Sequence, residues 1–382
     1  MRIAMIGHKR IPSREGGIEI CVEELATRMV EAGHEVHVYN RRKKGFKKLR
    51  NYKGVRIINT PTIDNKYLDA VVASLLATIY ALFGQYDVIH YHALGPSVMA
   101  FIPKLLGKKV VCTIHGLDWQ RAKWGGWGKK YLQLGERVTV KYADFIIVLS
   151  TNIQRYFREE YNRETVYIPN GVNNPQSKEA KIIQNKYGLT KDSYILFLAR
   201  IVPEKGLHYL IEAYQNIDTD IRLVICGDQS HTTEYLHRIK QMVEKDDRII
   251  MTGFVQGEEL EEFYSNALIY VLPSEIEGMP LSLLEAMSYG NCCVISNIPE
   301  MTEVIGDKGI VFNSGDVSSL EQALNGLITE KDKIEYYKRI VVADMAGKFS
   351  WHKTVHKTID LVYKTSPSSQ ELLTPFNNTA NF

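Results

Sequence analysis

Short apolar runs alternate with helical periodicity along most of this chain, and that alternation limits the folds open to it more than any other feature. Residues 3–6 form a strand-like run, after which Ile18, Val22, Leu25 and Met29 recur at helical spacing. Gly33 marks the helix end and residues 35–39 alternate as the next strand. Further strand-like segments lie at 55–58, 87–91, 109–113 and 145–149. A second round follows the Pro169-Asn170-Gly171 turn and a polar stretch, with strand-like runs at 194–198, 222–226, 248–252, 269–272 and 292–295. Strands that alternate with helices build parallel sheets covered on both faces. Two rounds in tandem predict an α/β protein of two doubly wound domains, residues 1–170 and 171–350. At 382 residues the chain is long enough for each to bury its own core. From Ser366 the sequence is rich in Ser, Thr, Pro and Asn, which predicts a disordered tail over 366–382.

The apolar and charged fractions, 45% and 24%, are those of a soluble globular protein. Met1-Arg2 runs straight into an apolar strand, without the regions of a signal peptide. The five cysteines are scattered and without a C-x-x-C pair, so they read as reduced thiols, neither a disulfide frame nor a zinc site. The apolar stretch 67–83 holds Asp69, Ser74 and Thr78 and falls short of a membrane span, so it reads as a core or interface helix. Charge is divided unevenly. Residues 1–170 carry 27 Lys+Arg against 15 Asp+Glu, net +12, and the remainder is net −9. Within the first half, Arg41, Arg42, Lys43, Lys44, Lys47, Lys48 and Arg50 fall inside ten positions. Such a run suits an anionic partner, a phospholipid surface or nucleic acid, or is a solvated loop. No aromatic interleaving or nucleic-acid-binding motif supports the nucleic-acid option.

In open α/β sheets, ligands bind outside the carboxyl ends of the strands. Many chemically suggestive residues follow strands here: Gly7-His8 and the loop to Gly16-Gly17, His115-Gly116, Arg200, Gly227-Asp228 and Glu277. The positions suit a cleft between two domains. The richest segment is Glu277-Gly278-Met279-Pro280-Leu281-Ser282-Leu283-Leu284-Glu285. Pro280 predicts a helix start, with Glu277 in the preceding loop and Glu285 in the second turn. The free N–H groups and positive dipole end between them attract phosphate. A diphosphate there leaves one carboxylate for sugar hydroxyls and the other for ribose hydroxyls. A capping role for either glutamate would need no ligand.

Arg200 and Lys205, five apart, can both reach a diphosphate, Arg as a fork and Lys as a point charge. They could equally be two surface cations near a helix start. Gly16-Gly17 lets backbone approach an anion or acceptor, as ordinary turn glycines would also do, and His115 can touch a substrate or serve the core. The only D-x-D, Asp218-Thr219-Asp220, reads as a solvent-facing turn, and no spacing suggests zinc.

Taken together these residues resemble the retaining glycosyltransferases of family 4, which have the GT-B fold: two Rossmann-like domains facing each other across a cleft. The likeness runs from Gly16-Gly17-Ile18-Glu19 through Ile168-Pro169-Asn170-Gly171-Val172 and Arg200…Lys205 to the E-x7-E segment, with Ala286-Met287 and Gly290 after it. Arg10-Ile11-Pro12-Ser13-Arg14-Glu15, Gly135-Glu136-Arg137, Ala143-Asp144 and Glu164-Thr165-Val166-Tyr167 are similar in wording to bacterial rhamnosyltransferase-type enzymes of capsule and exopolysaccharide assembly. Those often have Gly-Phe-Glu where this chain has Gly17-Ile18-Glu19.

The resemblance implies roles by position. Glu277 would meet donor-sugar hydroxyls and Glu285 the ribose, while backbone amides around the segment Gly278, Met279, Pro280 and Leu281 would face the diphosphate that Arg200 and Lys205 neutralise. His115 would sit beside the reacting sugar, Gly16 and Gly17 would border donor phosphates and acceptor, and Gly253, Phe254 and Val255 would line the base pocket. A last helix, near 351–365, would return to the amino-terminal domain. The expected activity is metal-independent transfer, with retention, from a nucleotide-diphosphate-sugar to a lipid-linked glycan acceptor in surface polysaccharide biosynthesis. Cofactors are not expected, nor is nucleic acid a partner. The expected place is cytoplasmic, at the inner face of the membrane, with the 41–50 cluster on anionic lipid. A nucleotide-sugar epimerase of the same fold and a catalytically silent scaffold of an assembly complex are the alternatives.

Overall fold

The computed structural model describes residues 1–42, 45, 48–63, 65, 68–121, 124–228 and 233–366. The tail expected over 366–382 lies, from 367 onward, outside these residues, as do Lys43, Lys44 and Lys47 of the basic run. The chain divides into two compact units, Met1–Asn170 with the segment that begins at Trp351, and Gly171–Ser350.

The amino-terminal unit carries strands β1 (Arg2–Ile6), β2 (Glu35–Arg41), β3 (Asn51–Tyr52), β4 (Val55–Thr60), β5 (Val88–His92), β6 (Val110–Ile114), β7 (Phe145–Val148) and β8 (Val166–Tyr167). They form one sheet in the order β3-β4-β2-β1-β5-β6-β7-β8, parallel except for the β3–β4 pair. β1, β5, β6 and β7 are buried along almost their whole length because helices cover both of their faces. The helix Gly17–Glu31 buries Cys21, Val22, Leu25, Ala26 and Met29, one face at helical spacing. The helix Trp351–Lys357 packs against it and continues as a π-type turn over Thr358–Tyr363. There the Tyr363 hydroxyl meets His90 Nδ1 at 2.6 Å.

The carboxyl-terminal unit carries β9 (Tyr194–Leu198), β10 (Arg222–Cys226), β11 (Ile249–Gly253), β12 (Ile269–Leu272), β13 (Cys292–Ser296) and β14 (Ile310–Phe312). These are all parallel, in the order β11-β10-β9-β12-β13-β14. Ile195, Phe197, Leu223, Ile225, Ile269 and Val271 anchor a core to which the helices contribute Leu210, Tyr214 and Leu324.

Both sheets reverse their winding once, at β1 in the first unit and between β9 and β12 in the second. A crevice opens at such a point because the helices of adjoining strands leave on opposite faces. In the second unit β12 pairs with β9 only through Ile269↔Ile195 and Tyr270↔Leu196, whereas β10 follows β9 along its whole length. The diverging carboxyl ends of β9 and β12 frame the candidate donor site. All five cysteines are free and buried. Asp218 and Asp220 are exposed in the connection before β10, as expected of a solvent-facing turn.

Candidate active site

In the carboxyl-terminal unit the site is built from the loops that leave β9 and β12. After β9, Arg200 precedes a single 3₁₀ turn, Pro203–Lys205. Gly206 then takes φ +65, and a Cβ on it would lie 2.0 Å from the Pro273 carbonyl oxygen. Only glycine allows the two loops to come this close. The Glu275 amide donates to the Glu204 carbonyl at 3.0 Å and closes the contact. As a result Lys205 Nζ meets Glu277 Oε1 in an ion pair whose side chains are only 13% and 7% exposed. Ser274 Oγ donates to the same oxygen at 2.8 Å. Among the described residues both hydrogen bonds to the Glu277 carboxylate fall on Oε1.

The helix after Glu277 runs Leu281–Ser288, with Pro280 at its N-cap in extended conformation (φ −72, ψ 114) and without a side-chain cap. Pro280 therefore sits one position before the first helical residue, where the sequence places the helix start on it. Gly278, Met279 and Pro280 are buried, and the helix start they lead into lies between the two glutamates in the sequence. With no side chain on them, the first-turn amides are a ready anion site. Glu285 lies in the second turn, and its Oε2 accepts from the Tyr264 hydroxyl at 3.0 Å. Tyr264 is stacked on Tyr289 at 5.3 Å, and the neighbouring Tyr270 holds Ser282 Oγ at 2.9 Å. Burial pushes the Tyr264 phenol well above its usual range, with the Glu285 carboxylate adding to the effect. It stays protonated and donates. Gly253 ends β11 at the sheet edge; Phe254 beyond it is 49% exposed and Val255 is buried.

In the amino-terminal unit, Gly16 is the N-cap of Gly17–Glu31 in extended backbone, again without a side-chain cap. The buried Glu19 in the first turn accepts from the Lys9 amide at 3.0 Å, and Glu23 one turn on accepts from the Ser13 amide at 3.3 Å. These two carboxylates hold the loop after β1 onto the helix start. Gly7, at the end of β1, has φ +124 and would place a Cβ 2.2 Å from the His92 carbonyl oxygen, so β1 and β5 end in close approach.

His115 follows β6 and is not alone. Its Nε2 lies 3.1 Å from His92 Nδ1, and His92 stacks on His90 at 4.2 Å. His90 is held by Thr113 Oγ1 at 2.7 Å, and His8 by Asn40 Oδ1 at 2.9 Å. Burial lowers the pKa of His115 and His8 to about 4 and of His90 to about 3, with His92 also well below its ordinary value. The cluster is neutral at neutral pH. His92 Nε2 is buried without a partner. An orphaned buried N–H costs more than an orphaned lone pair, so hydrogen bonding assigns the His92 proton to Nδ1, donating to His115 Nε2. The His115 proton then sits on Nδ1 and is available to a ligand oxygen.

Of the residues singled out from the sequence, Lys205 and Glu277 are in contact, with Arg200 and Glu285 on the same two loops and the following helix. His115, Gly16 and Gly17 belong to the other unit, at the carboxyl end of its sheet. Sequence reasoning passed over Tyr264, Tyr270, His90 and His92, which arrive from separate elements.

Two doubly wound sheets, each with polar groups gathered at its switch point and one with an uncapped helix start beside paired charges, define a GT-B protein with a site suited to a phosphorylated ligand. The model described as Glycosyltransferase Family 4 matches residues 15–174, and that described as Glycosyl transferases group 1 matches 179–341. The chain belongs to the glycosyltransferases built from these two domains. It is 26% identical over 389 aligned positions to an uncharacterized glycosyltransferase, MJ1607, of Methanocaldococcus jannaschii, covering 95% of this chain and 98% of that one. It is 29% identical over 245 positions to the serotype-specific mannosyltransferase WbdA of Escherichia coli, with 63% of this chain matched to only 29% of that longer protein. The structure of HepE from Anabaena in complex with UDP and glucose shares the fold, with a TM-score of 0.81 at 17% identity over 96% of this chain and all of that one.

Proposed function

We propose that this glycosyltransferase moves a sugar, with retention of anomeric configuration, from a nucleotide-diphosphate-sugar to a lipid-linked glycan in surface polysaccharide assembly. The observation that carries the reading is the Lys205–Glu277 pair beside the uncapped start of Leu281–Ser288. It sets a cation, a carboxylate and open amide donors around one point. The diphosphate lies on the amides, with Arg200 and Lys205 neutralising the charge that builds as it departs. Glu277 Oε2 accepts from donor-sugar hydroxyls, Glu285 from the ribose, and the exposed Phe254 offers a face for the base. His115 donates from Nδ1 to an oxygen of the reacting sugar. The bond from the anomeric carbon to phosphate breaks, the acceptor oxygen bonds to the same face, and its proton passes to the departing phosphate. Two cations and a helix terminus supply the positive charge, so no metal is required.

Rhamnose is the first donor sugar to test, on the wording of the amino-terminal loop, and mannose the second, on the likeness to WbdA. The protein works in the cytoplasm at the inner leaflet, with the 41–50 cluster on anionic lipid. A thermal-shift screen of nucleotide sugars, followed by transfer assays with the best binder, tests the reading. A donor that stabilises the protein and loses its sugar to a polyprenyl-diphosphate glycan supports it; epimerisation of the donor without transfer, or no binding at all, refutes it.

A further inference from the structure

The helix Leu68–Leu82 is inside out. It turns Ala73, Ser74, Ala77, Thr78 and Ala81 into the protein and leaves Leu68, Leu75, Ile79 and Tyr80 exposed, with Phe83 just beyond its end 86% exposed. Leu68, Leu75, Ile79 and Phe83 are spaced by seven, four and four, so they form one stripe along the outer face. A helix that faced only water would carry polar residues there.

The stripe does not stand alone. Leu68–Leu82 packs beside the short helix Phe101–Leu105, which in turn packs beside Gly126–Tyr142, in one layer over the sheet of the amino-terminal unit. Phe101, Leu105 and Leu106 are exposed on the second of these, and Trp127 (87% exposed) and Leu134 on the third. Eleven of the fifteen exposed large apolar side chains among the described residues fall between Ile63 and Leu134. Single exposed apolar residues need no explanation, whereas a collected face of this kind marks a docking surface.

Charge on the same layer identifies the occupant. Gly126–Tyr142 exposes Lys129, Lys130, Arg137 and Lys141, while its single acidic residue, Glu136, is buried among the Trp119, Tyr156 and Tyr161 hydrogen-bonding groups. At the start of Leu68–Leu82, Arg41 pairs with Asp69 at 3.2 Å, which ties the 41–50 run to the end of the apolar stripe. Apolar side chains with a Trp and a rim of cations suit the boundary between acyl chains and anionic headgroups. Among the described residues no helix is long and apolar enough to cross a membrane, so contact would be made from one side.

We infer that the layer formed by Leu68–Leu82, Phe101–Leu105 and Gly126–Tyr142 seats on an anionic lipid bilayer, with the Leu75–Ile79–Phe83 stripe inserted and Lys129 and Lys130 over the headgroups. This deepens the membrane reading above and rests on it, but moves the main anchor from the basic loop to an apolar helix face. Flotation of the full chain with phosphatidylcholine vesicles, with and without phosphatidylglycerol, tests it. The exposed positions allow the triple variant L75S/I79S/F83S to fold, which its melting curve and nucleotide binding would verify. The triple variant should lose binding to anionic vesicles by at least about tenfold, and K129E/K130E should weaken it in a salt-dependent way. Unchanged flotation of the folded triple variant, with loss in R42A/K48A/R50A, would overturn the inference and leave the loop as the anchor. Absence of wild-type binding to either vesicle would overturn both readings. A wild-type dimer in light scattering that the triple variant dissolves would assign the face to a second copy of the chain instead.

Discussion

At the ends of β9 and β12 the carboxyl-terminal unit gathers full charges, Arg200, Lys205, Glu277 and Glu285. At the ends of β1, β5 and β6 the amino-terminal unit gathers His8, His92 and His115, polar groups held neutral by burial. The sheets share one winding rule, so the fold does not set this difference. The proposed function accounts for it by what each crevice would hold. A diphosphate needs fixed positive charge, and a buried carboxylate survives there because Lys205 and Ser274 compensate it. Sugar hydroxyls need donors and acceptors without net charge. The amino-terminal half of the sequence carries the excess of cations, yet the histidines at its switch point are held neutral by burial, beside the buried Glu19 carboxylate and the Arg41 guanidinium that donates to the Gly7 carbonyl.

The sharpest way to break this contrast is to remove one charge. Lys205→Ala strands the Glu277 carboxylate, and is expected to cost the carboxyl-terminal unit about 3 kcal/mol in urea unfolding and to slow transfer by about 100-fold or more. Glu277→Ala should keep nucleotide affinity and lose turnover on the same scale. His92→Phe in the neutral cluster should cost only about 1 kcal/mol; a loss equal to that of Lys205→Ala would erase the distinction.

Acid should separate the units next. His8, His90 and His115 have folded pKa values below the ordinary 6.5, so between pH 6.5 and 4 the unfolded chain binds more protons than the folded one. Their contribution is complete above pH 6.5 and is lost as pH falls toward 4. For His8 alone the loss reaches about 2 kcal/mol at pH 5. Among the described histidines of the carboxyl-terminal unit only His208 has a lowered value. Hydrogen exchange across this pH range should therefore show the amino-terminal sheet opening first.

Smaller effects test the donor half in detail. Glu285→Ala should weaken nucleoside diphosphate binding about tenfold in calorimetry, as loss of a hydrogen bond to a charged group would. Tyr264→Phe leaves that carboxylate in place and removes one hydrogen bond to it, and should cost severalfold less. Equal losses would mean that Tyr264 supports the helix as a whole.

The donor loops were legible in the sequence because their parts are contiguous: the two glutamates, the proline and the helix start lie in nine residues. Even there, Pro280 proved to be the N-cap, since cap and first helical position look alike without backbone angles. The histidine cluster was not legible. His8, His92 and His115 follow strands β1, β5 and β6, and only the order β1-β5-β6 makes those strands neighbours. The two-residue strands β3 and β8 and the three-residue β14 are too short for a period to show. For Leu68–Leu82 the sequence predicted a core or interface helix but not its orientation. Small residues beneath and large ones outside become visible only once packing is known.

The central claim, that the charged half holds the donor while chemistry proceeds with retention, is tested most directly by following one turnover with purified protein. The donor is the nucleotide sugar that binds best, with a polyprenyl-diphosphate glycan as acceptor and a chelator present, and the product is read by NMR. The expected result is stoichiometric release of nucleoside diphosphate and a new glycosidic bond with the donor's anomeric configuration, slowed by about 100-fold or more in Glu277→Ala. An inverted linkage, a strict need for added divalent metal, or donor epimerised without diphosphate release would contradict it.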